Sequence, residues 1–142
     1  MKPDSLPVES VNHIARVAHD LEASIAFYRD VLGFHPIERP NFGFPGAWLI
    51  NFGVQIHLIA ATGDPDLDGS GISIRAGHIA FHVPDPSEIE NLLKQHGITY
   101  KANYATASGI TQYFFHDPDG NHIEIGSYPP IKELKSSPQK NS

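Results

Sequence analysis

One pattern of residues occurs twice in this chain, and it constrains the fold more than any other feature. The first copy opens on Val11-Asn12-His13-Ile14-Ala15 and the second on Ala76-Gly77-His78-Ile79-Ala80. A helix-like stretch follows each opening and stops at a glycine, Gly33 in one copy and Gly97 in the other. Each copy then closes on an apolar, β-branched run holding a potential metal ligand. In the first this is His57, within Val54-Gln55-Ile56-His57-Leu58-Ile59, and in the second Glu124, within Asn121-His122-Ile123-Glu124-Ile125. His13 and His57 stand 44 positions apart, His78 and Glu124 46 positions apart. Self-similarity at such spacing marks a duplicated supersecondary unit. Pseudo-twofold symmetry would bring the four side chains to one centre, where three imidazoles and a carboxylate make a metal site.

Local patterns predict the same element order in both copies. Residues 11–17 read as a strand. Asp20 is placed to cap a helix in which Leu21, Ile25, Tyr28, Val31 and Leu32 recur at helical spacing. A strand at residues 34–39, a loop to residue 46, and a hairpin of residues 47–52 and 54–60 complete the first module. In the second, residues 78–83 form a strand, and a helix opens at Pro86 or Ser87 and runs to His96. Strands follow at residues 99–104, 110–116 and 122–127, the last two joined by the turn Asp117-Pro118-Asp119-Gly120. The predicted class is α+β, with β-α-β-β-β modules at residues 11–60 and 77–128. Residues 1–10 and 129–142 read as tails, and the acidic, glycine-containing residues 62–71 as a linker.

Composition narrows the function. At 142 residues the chain makes one compact domain or two half-sized modules, and a module of about 50 residues buries too little apolar surface to stand comfortably alone. A formal charge of −6 without a basic run argues against nucleic acid or an anionic membrane as partner. With no cysteine, disulfides, thiolate nucleophiles and thiolate metal sites are excluded. No apolar run approaches a membrane span and the first residues lack a signal-peptide pattern, so a soluble, cytoplasmic protein is expected.

Strand alternation sharpens the site. Ile56 and Leu58 can face a helix-covered core while Gln55 and His57 face the other way, and Ile123 and Ile125 likewise push Glu124 to the opposite face. His82 and His122 share strand parity with a proposed ligand and are candidates to line the same cavity. His19, His35, His96 and His116 fall in loops, turns or element ends, where solvent exposure is expected. Nitrogen and oxygen donors without sulfur suit a divalent ion such as Zn, Ni, Co, Mn or Fe(II). A Gly-x-Ser-x-Gly elbow, a phosphate loop and a dinucleotide fingerprint are all absent.

The runs His13-Ile14-Ala15, Asp20 to Phe34 and Phe114-Phe115-His116-Asp117-Pro118-Asp119-Gly120-Asn121-His122-Ile123-Glu124 resemble the vicinal oxygen chelate superfamily. That superfamily includes glyoxalase I, methylmalonyl-CoA epimerase, extradiol dioxygenases, fosfomycin-resistance thiol transferases and bleomycin-binding proteins. The patches Gly46-Ala47-Trp48-Leu49 and Ile56-His57-Leu58 are most similar to short glyoxalase-I-like proteins of plants and bacteria. The resemblance covers residues 11–127. It implies paired β-α-β-β-β modules forming a cupped mixed sheet around a metal site, a divalent metal held there by His13, His78 and Glu124 with His57 at the fourth position, and frequent dimerisation. It also exposes departures. Val17 stands where glyoxalase I generally has an arginine, and Ala61 where it has an asparagine, both of which help hold glutathione. Phe114 stands where extradiol dioxygenases and fosfomycin transferases commonly have a tyrosine, and Tyr113 beside it should point to the other face.

The leading expectation is a metal-dependent glyoxalase-I-like isomerase or lyase working on a small vicinal-oxygen substrate through a metal-stabilised enediolate. Glu124 carries the proton, and Gln55, Trp48, His82, Phe114 and His122 line the pocket. The alternatives are an Fe(II) extradiol-type dioxygenase and a non-catalytic, bleomycin-resistance-like protein that binds an aromatic ligand between Phe42, Phe44, Trp48 and Phe114. A homodimer is expected, and the linker of residues 60–76 is long enough for modules to pair within one chain or between two.

Overall fold

The computed structural model describes residues 3–65, 67, 71–105 and 108–137. It divides into two units, Met1–Leu67 with Asp117–Gly120, and Asp68–His116 with Asn121–Ser142. The predicted linker and tails are covered only in part, since residues 1–2, 66, 68–70 and 138–142 lie outside the described residues. No described helix is long and apolar enough to cross a membrane.

The first unit contains β1 (His13–Ala18), α1 (Leu21–Ala26), β2 (His35–Ile37), β3 (Gly46–Asn51) and β4 (Val54–Ala60), with sheet order β1-β4-β3-β2. β1 is parallel to β4, and the remaining pairs are antiparallel. Parallel neighbours need a long crossover, which the helix and the two intervening strands provide. Asp20 caps α1 as expected, its carboxylate accepting from the Ala23 N–H at 3.0 Å. The helix does not stay α-helical to Gly33. It widens into a π turn at Phe27–Val31, with the Leu32 N–H reaching the Phe27 carbonyl, and Phe27 and Tyr28 are both buried there. The predicted hairpin closes through Phe52 and Gly53, at φ 54° and 74°. Two consecutive positive φ values make the turn whose twist matches paired strands. Ala18, Phe27, Tyr28, Phe34, Leu49, Ile56 and Leu58 supply the buried apolar side chains.

The turn Asp117–Gly120 forms as expected, with the Gly120 N–H donating to the Asp117 carbonyl at 3.0 Å. The Tyr28 hydroxyl donates to Asp117 Oδ2 at 2.7 Å, and burial followed by the Asp117 charge pushes the phenol's pKa upward. His19 is not the exposed loop residue expected from its position. Its Nδ1 lies 2.6 Å from Asp119 Oδ2 and its backbone N–H donates to Asp119 Oδ1, so the ring is partly buried.

The second unit contains β5 (His78–His82), α2 (Ile89–Gln95), β6 (Tyr100–Ala105), β7 (Ile110–His116) and β8 (His122–Gly126), in the equivalent order β5-β8-β7-β6. β5 is parallel to β8, and the other two pairs are antiparallel. Leu93, Tyr113, Phe115, Ile123 and Ile125 are buried. The helix opens at Pro86, within the expected start. Asp85 is its capping residue, accepting from the Ser87 N–H at 3.0 Å above a single 3-10 turn, Pro86–Glu88. Pro86 at the first helical position loses only a donor that would have had no helical partner.

The Asp85 carboxylate sits below its ordinary pKa because it accepts from the Ser87 backbone and side chain. A depressed carboxylate stabilises the fold fully above its unfolded value, near 3.8, and loses that contribution as pH falls through the lower folded value. Asp85→Ala is therefore expected to lower the thermal midpoint at neutral pH and to match the parent more closely well below pH 3.8. Melts of both chains across that range check this, and a gap that widens in acid would contradict it.

Candidate metal centre

In the first unit the two proposed ligands share one face. Parallel pairing sets His13 against Gln55 and Ala15 against His57, while β3 places Trp48 against His57 from the other side. Ile56 and Leu58, at 0% and 1% exposure, fill the opposite face as alternation requires. The His57 ring is stacked between two neighbours, Trp48 at 4.2 Å between centroids and His13 at 4.0 Å. Phe42 lies 5.9 Å from Trp48 and 6.0 Å from Phe44. The Arg39 guanidinium is 4.9 Å and 4.8 Å from those two phenylalanine rings. A Cβ on Gly46 would stand 2.5 Å from the Leu58 carbonyl oxygen and 3.0 Å from the guanidinium carbon, so glycine there permits the close approach of β4 first and of Arg39 second.

Hydrogen bonds prepare these rings. His13 Nδ1 lies 2.8 Å from Asn12 Oδ1, an acceptor, so in the neutral ring the proton is on Nδ1 and the lone pair on Nε2. His57 Nε2 is 2.9 Å from Gln55 Oε1. Desolvation, then the neighbouring His13 and Arg39, disfavour the His57 imidazolium and lower its pKa. A neutral imidazole is the form that binds metal.

In the second unit β8 pairs His122 with His78 and Glu124 with Ala80, and β7 pairs Phe114 with Glu124. Glu124 is only 5% exposed and Phe114 1%. His78 Nδ1 lies 2.7 Å from the Ala76 carbonyl and must donate to it, which in the neutral ring leaves the lone pair on Nε2. That Nε2 is 3.4 Å from Glu124 Oε1. Two donors about 2.0–2.2 Å from a shared ion, at octahedral to tetrahedral angles, stand roughly 2.8–3.6 Å apart. The observed spacing lies within that range. His82 and His122 lie on strands as predicted, with other partners: His82 Nδ1 accepts from the Tyr128 N–H at 2.9 Å and His122 Nε2 from the Ser73 N–H at 2.9 Å. His116, expected to be exposed, is partly buried, its Nε2 3.2 Å from that of His122.

The four proposed ligands thus form two pairs, His13 with His57 and His78 with Glu124, one pair in each unit. Among the described residues no group of three or more histidine, aspartate or glutamate side chains gathers into a metal-holding cluster. The Glu124 carboxylate also has two partners that sequence reasoning missed. Gln112 Nε2 donates to Oε1 at 3.1 Å and the Tyr128 hydroxyl donates to Oε2. Gln112 had a usable signal, since it shares strand parity with Phe114. Tyr128 lies past the last strand, where alternation gives no signal.

The chain's single tryptophan is a built-in reporter of this face. Because Trp48 stacks on His57, charging the imidazole is expected to change its emission, with a midpoint below the ordinary histidine value of about 6.5. A fluorescence titration of metal-free protein measures this. His57→Leu should abolish the transition, and a midpoint at or above the ordinary value would contradict the burial and charge argument.

The chain matches the family model of the glyoxalase/bleomycin resistance protein/dioxygenase superfamily over residues 10–125. It is 39% identical to Glyoxylase I 4 of Arabidopsis thaliana over 132 residues, covering 88% of this chain and 76% of that protein. It is 29% identical over 113 residues to the lactoylglutathione lyase of Salmonella typhimurium, covering 75% of this chain and 83% of that one. The crystal structure of a glyoxalase/dioxygenase from Nostoc punctiforme superposes with a TM-score of 0.71 at 25% identity, covering 91% of this chain and all of that one. On the extent of the family match, together with paired β-α-β-β-β units of identical strand order, the chain belongs to the glyoxalase/bleomycin resistance protein/dioxygenase superfamily.

Proposed function

We propose that this protein is a metal-dependent isomerase or lyase of the glyoxalase I kind, acting on a small substrate with two neighbouring oxygens. The observation that carries this reading is the His78–Glu124 pair: a lone-pair nitrogen 3.4 Å from a buried carboxylate, with two imidazoles at the repeat-equivalent positions of the other unit. His13, His57, His78 and Glu124 would hold one ion of Zn, Ni, Co, Mn or Fe(II). Such an ion, when bound, acts as a Lewis acid on carbonyl oxygens. The names of the Arabidopsis and Salmonella relatives support the same chemistry.

Glu124 is the group suited to move the proton. In a hydroxy-carbonyl isomerisation it takes the C–H proton from the hydroxyl-bearing carbon and returns it to the neighbouring carbon. The hydroxyl proton changes oxygens, so no atom is lost. Gln55, Trp48, His82, Phe114 and His122 would line the substrate, in a cytoplasmic setting. Metal analysis of the purified protein and assay of small hydroxy-carbonyl and dicarbonyl compounds test the reading. Loss of turnover on chelation and its return with added metal are expected, and full activity without metal would overturn it.

A second reading has an observation of its own. The stack of Phe44, Phe42, Trp48, His57 and His13 is a platform suited to holding an aromatic ligand without chemistry. Tight binding of an aromatic ligand by metal-free protein, with no turnover by the loaded protein, would favour it.

Glutathione adducts should be poor substrates. Val17 lies on the same strand face as His13 and Ala61 directly follows β4, and neither offers a polar side chain for the tripeptide. Losing one such charged contact costs about 2–5 kcal/mol. Weak or no turnover of the glutathione–methylglyoxal adduct is expected; kcat/KM of about 10⁶ M⁻¹s⁻¹ or more would refute the argument.

The assembly we propose is a twofold homodimer, with units completing a site either within one chain or between the two. Co-refolded His13→Ala and Glu124→Ala chains discriminate. Exchanged units leave one site in each mixed dimer with all four ligands, so activity returns. Sites built within a single chain leave the mixture as inactive as its parents.

A further inference from the structure

We infer that Tyr128 is a positioning residue for Glu124, holding one carboxylate oxygen so that the other is presented toward His78. The inference rests on the reading of Glu124 as ligand and proton carrier, and gives that residue a device the strand pattern does not contain.

The geometry is specific. Glu124 Oε1 lies 3.4 Å from His78 Nε2 and accepts from Gln112 Nε2 at 3.1 Å, while Oε2 accepts the Tyr128 hydroxyl. A carboxylate held at one oxygen can still turn about its last torsion, whereas donors on both oxygens fix its plane. Both donors are neutral, so neither competes with the ion as a cation would. The oxygen facing His78 stays on the metal side.

Tyr128 gets there through an arrangement with few other uses. β8 ends at Gly126 and the chain folds back, so the ring lies over that residue. A Cβ on residue 126 would stand 2.5 Å from the phenol oxygen and 2.7 Å from Cζ. Glycine at that position leaves the space the ring occupies. The return is pinned by the Tyr128 N–H donating to His82 Nδ1 at 2.9 Å and the Val83 N–H donating to the Gly126 carbonyl at 2.9 Å. Glu124-x-Gly126-x-Tyr128 is thus one unit: ligand, gap and clamp.

The test compares Tyr128→Phe, Gly126→Ala and Glu124→Ala with the parent. Zn²⁺ affinity is measured by competition with a chromophoric chelator, and the visible spectrum is taken with Co²⁺ bound, with circular dichroism confirming the fold. Tyr128→Phe keeps the ring and removes the hydroxyl, and should weaken Zn²⁺ binding roughly 10–100-fold, as loss of a group that orients a metal ligand does. It should also shift the Co²⁺ bands, which a purely structural role would leave unmoved. Gly126→Ala keeps the hydroxyl but displaces it, and should weaken binding in the same direction; if that chain does not fold, Tyr128→Phe decides alone. Weakening by Glu124→Ala with parent-like or tighter binding by Tyr128→Phe would overturn the positioning role and leave the metal reading standing. Parent-like binding by Glu124→Ala would overturn both.

Discussion

The parallel pairing between the first and last strands of each unit is the constraint on which the rest depends. In the first unit it sets Ala15 against His57, two residues beyond His13; in the second it sets Ala80 against Glu124, two residues beyond His78. The offset is the same, so the proposed ligands of each unit share one face. The opposite face enforces it. Leu49, Ile56 and Leu58 are buried there in one unit, Tyr113, Phe115, Ile123 and Ile125 in the other. A slip of one residue along β4 would expose Ile56 and Leu58 and bury Gln55 and His57. Each large apolar side chain so exposed forfeits about 1.5–3 kcal/mol, comparable to a sizeable part of a small domain's net stability. Ordinary hydrophobic packing on one face therefore fixes the chemistry on the other.

The two units solve the ligand problem differently. Imidazoles carry an apolar ring, so His13 and His57 are held by stacking, with Trp48 closing the column. A carboxylate has no such face, and a buried one without partners is costly. Glu124 is instead held by hydrogen bonds from Gln112 and Tyr128, with His78 alongside. The asymmetry follows from the ligand types. A duplicated backbone does not require duplicated support.

Much of this was legible in the chain itself, for identifiable reasons. Alternation placed His57 and Glu124 opposite the core, the repeat predicted the same β-α-β-β-β succession in both units, and Asp20 and Asn51-Phe52-Gly53 announced a cap and a turn through their own chemistry. What stayed hidden depended on contacts between residues far apart in sequence. His19 looks like a free loop histidine until Asp119, one hundred residues later, is brought to its ring. The π turn at Phe27–Val31 has no periodicity of its own, because the apolar spacing of α1 fits either winding. The start of α2, by contrast, was legible: proline at position 86 signals a helix start, and its missing N–H belongs just inside the Asp85 cap.

The tyrosine question shows how far a position-by-position comparison can mislead. Phe114 faces Glu124 across β7 and β8, while Tyr113 pairs with Ile125 on the helix side, so the register denies β7 any phenol at the carboxylate. Judged by that position alone, the site lacks a hydroxyl donor. Yet a phenol does reach Glu124, from the segment after β8, because Gly126 leaves the ring somewhere to lie. Its direction of approach differs in consequence. A tyrosine on β7 would project from the sheet face that would hold the metal and stand among the groups meeting the substrate. Tyr128 instead meets the carboxylate at Oε2, while Oε1 lies toward His78. On the proposed reading of Glu124, the same functional group at the same carboxylate would orient that residue instead of meeting the substrate, and the segment from which it arrives decides which.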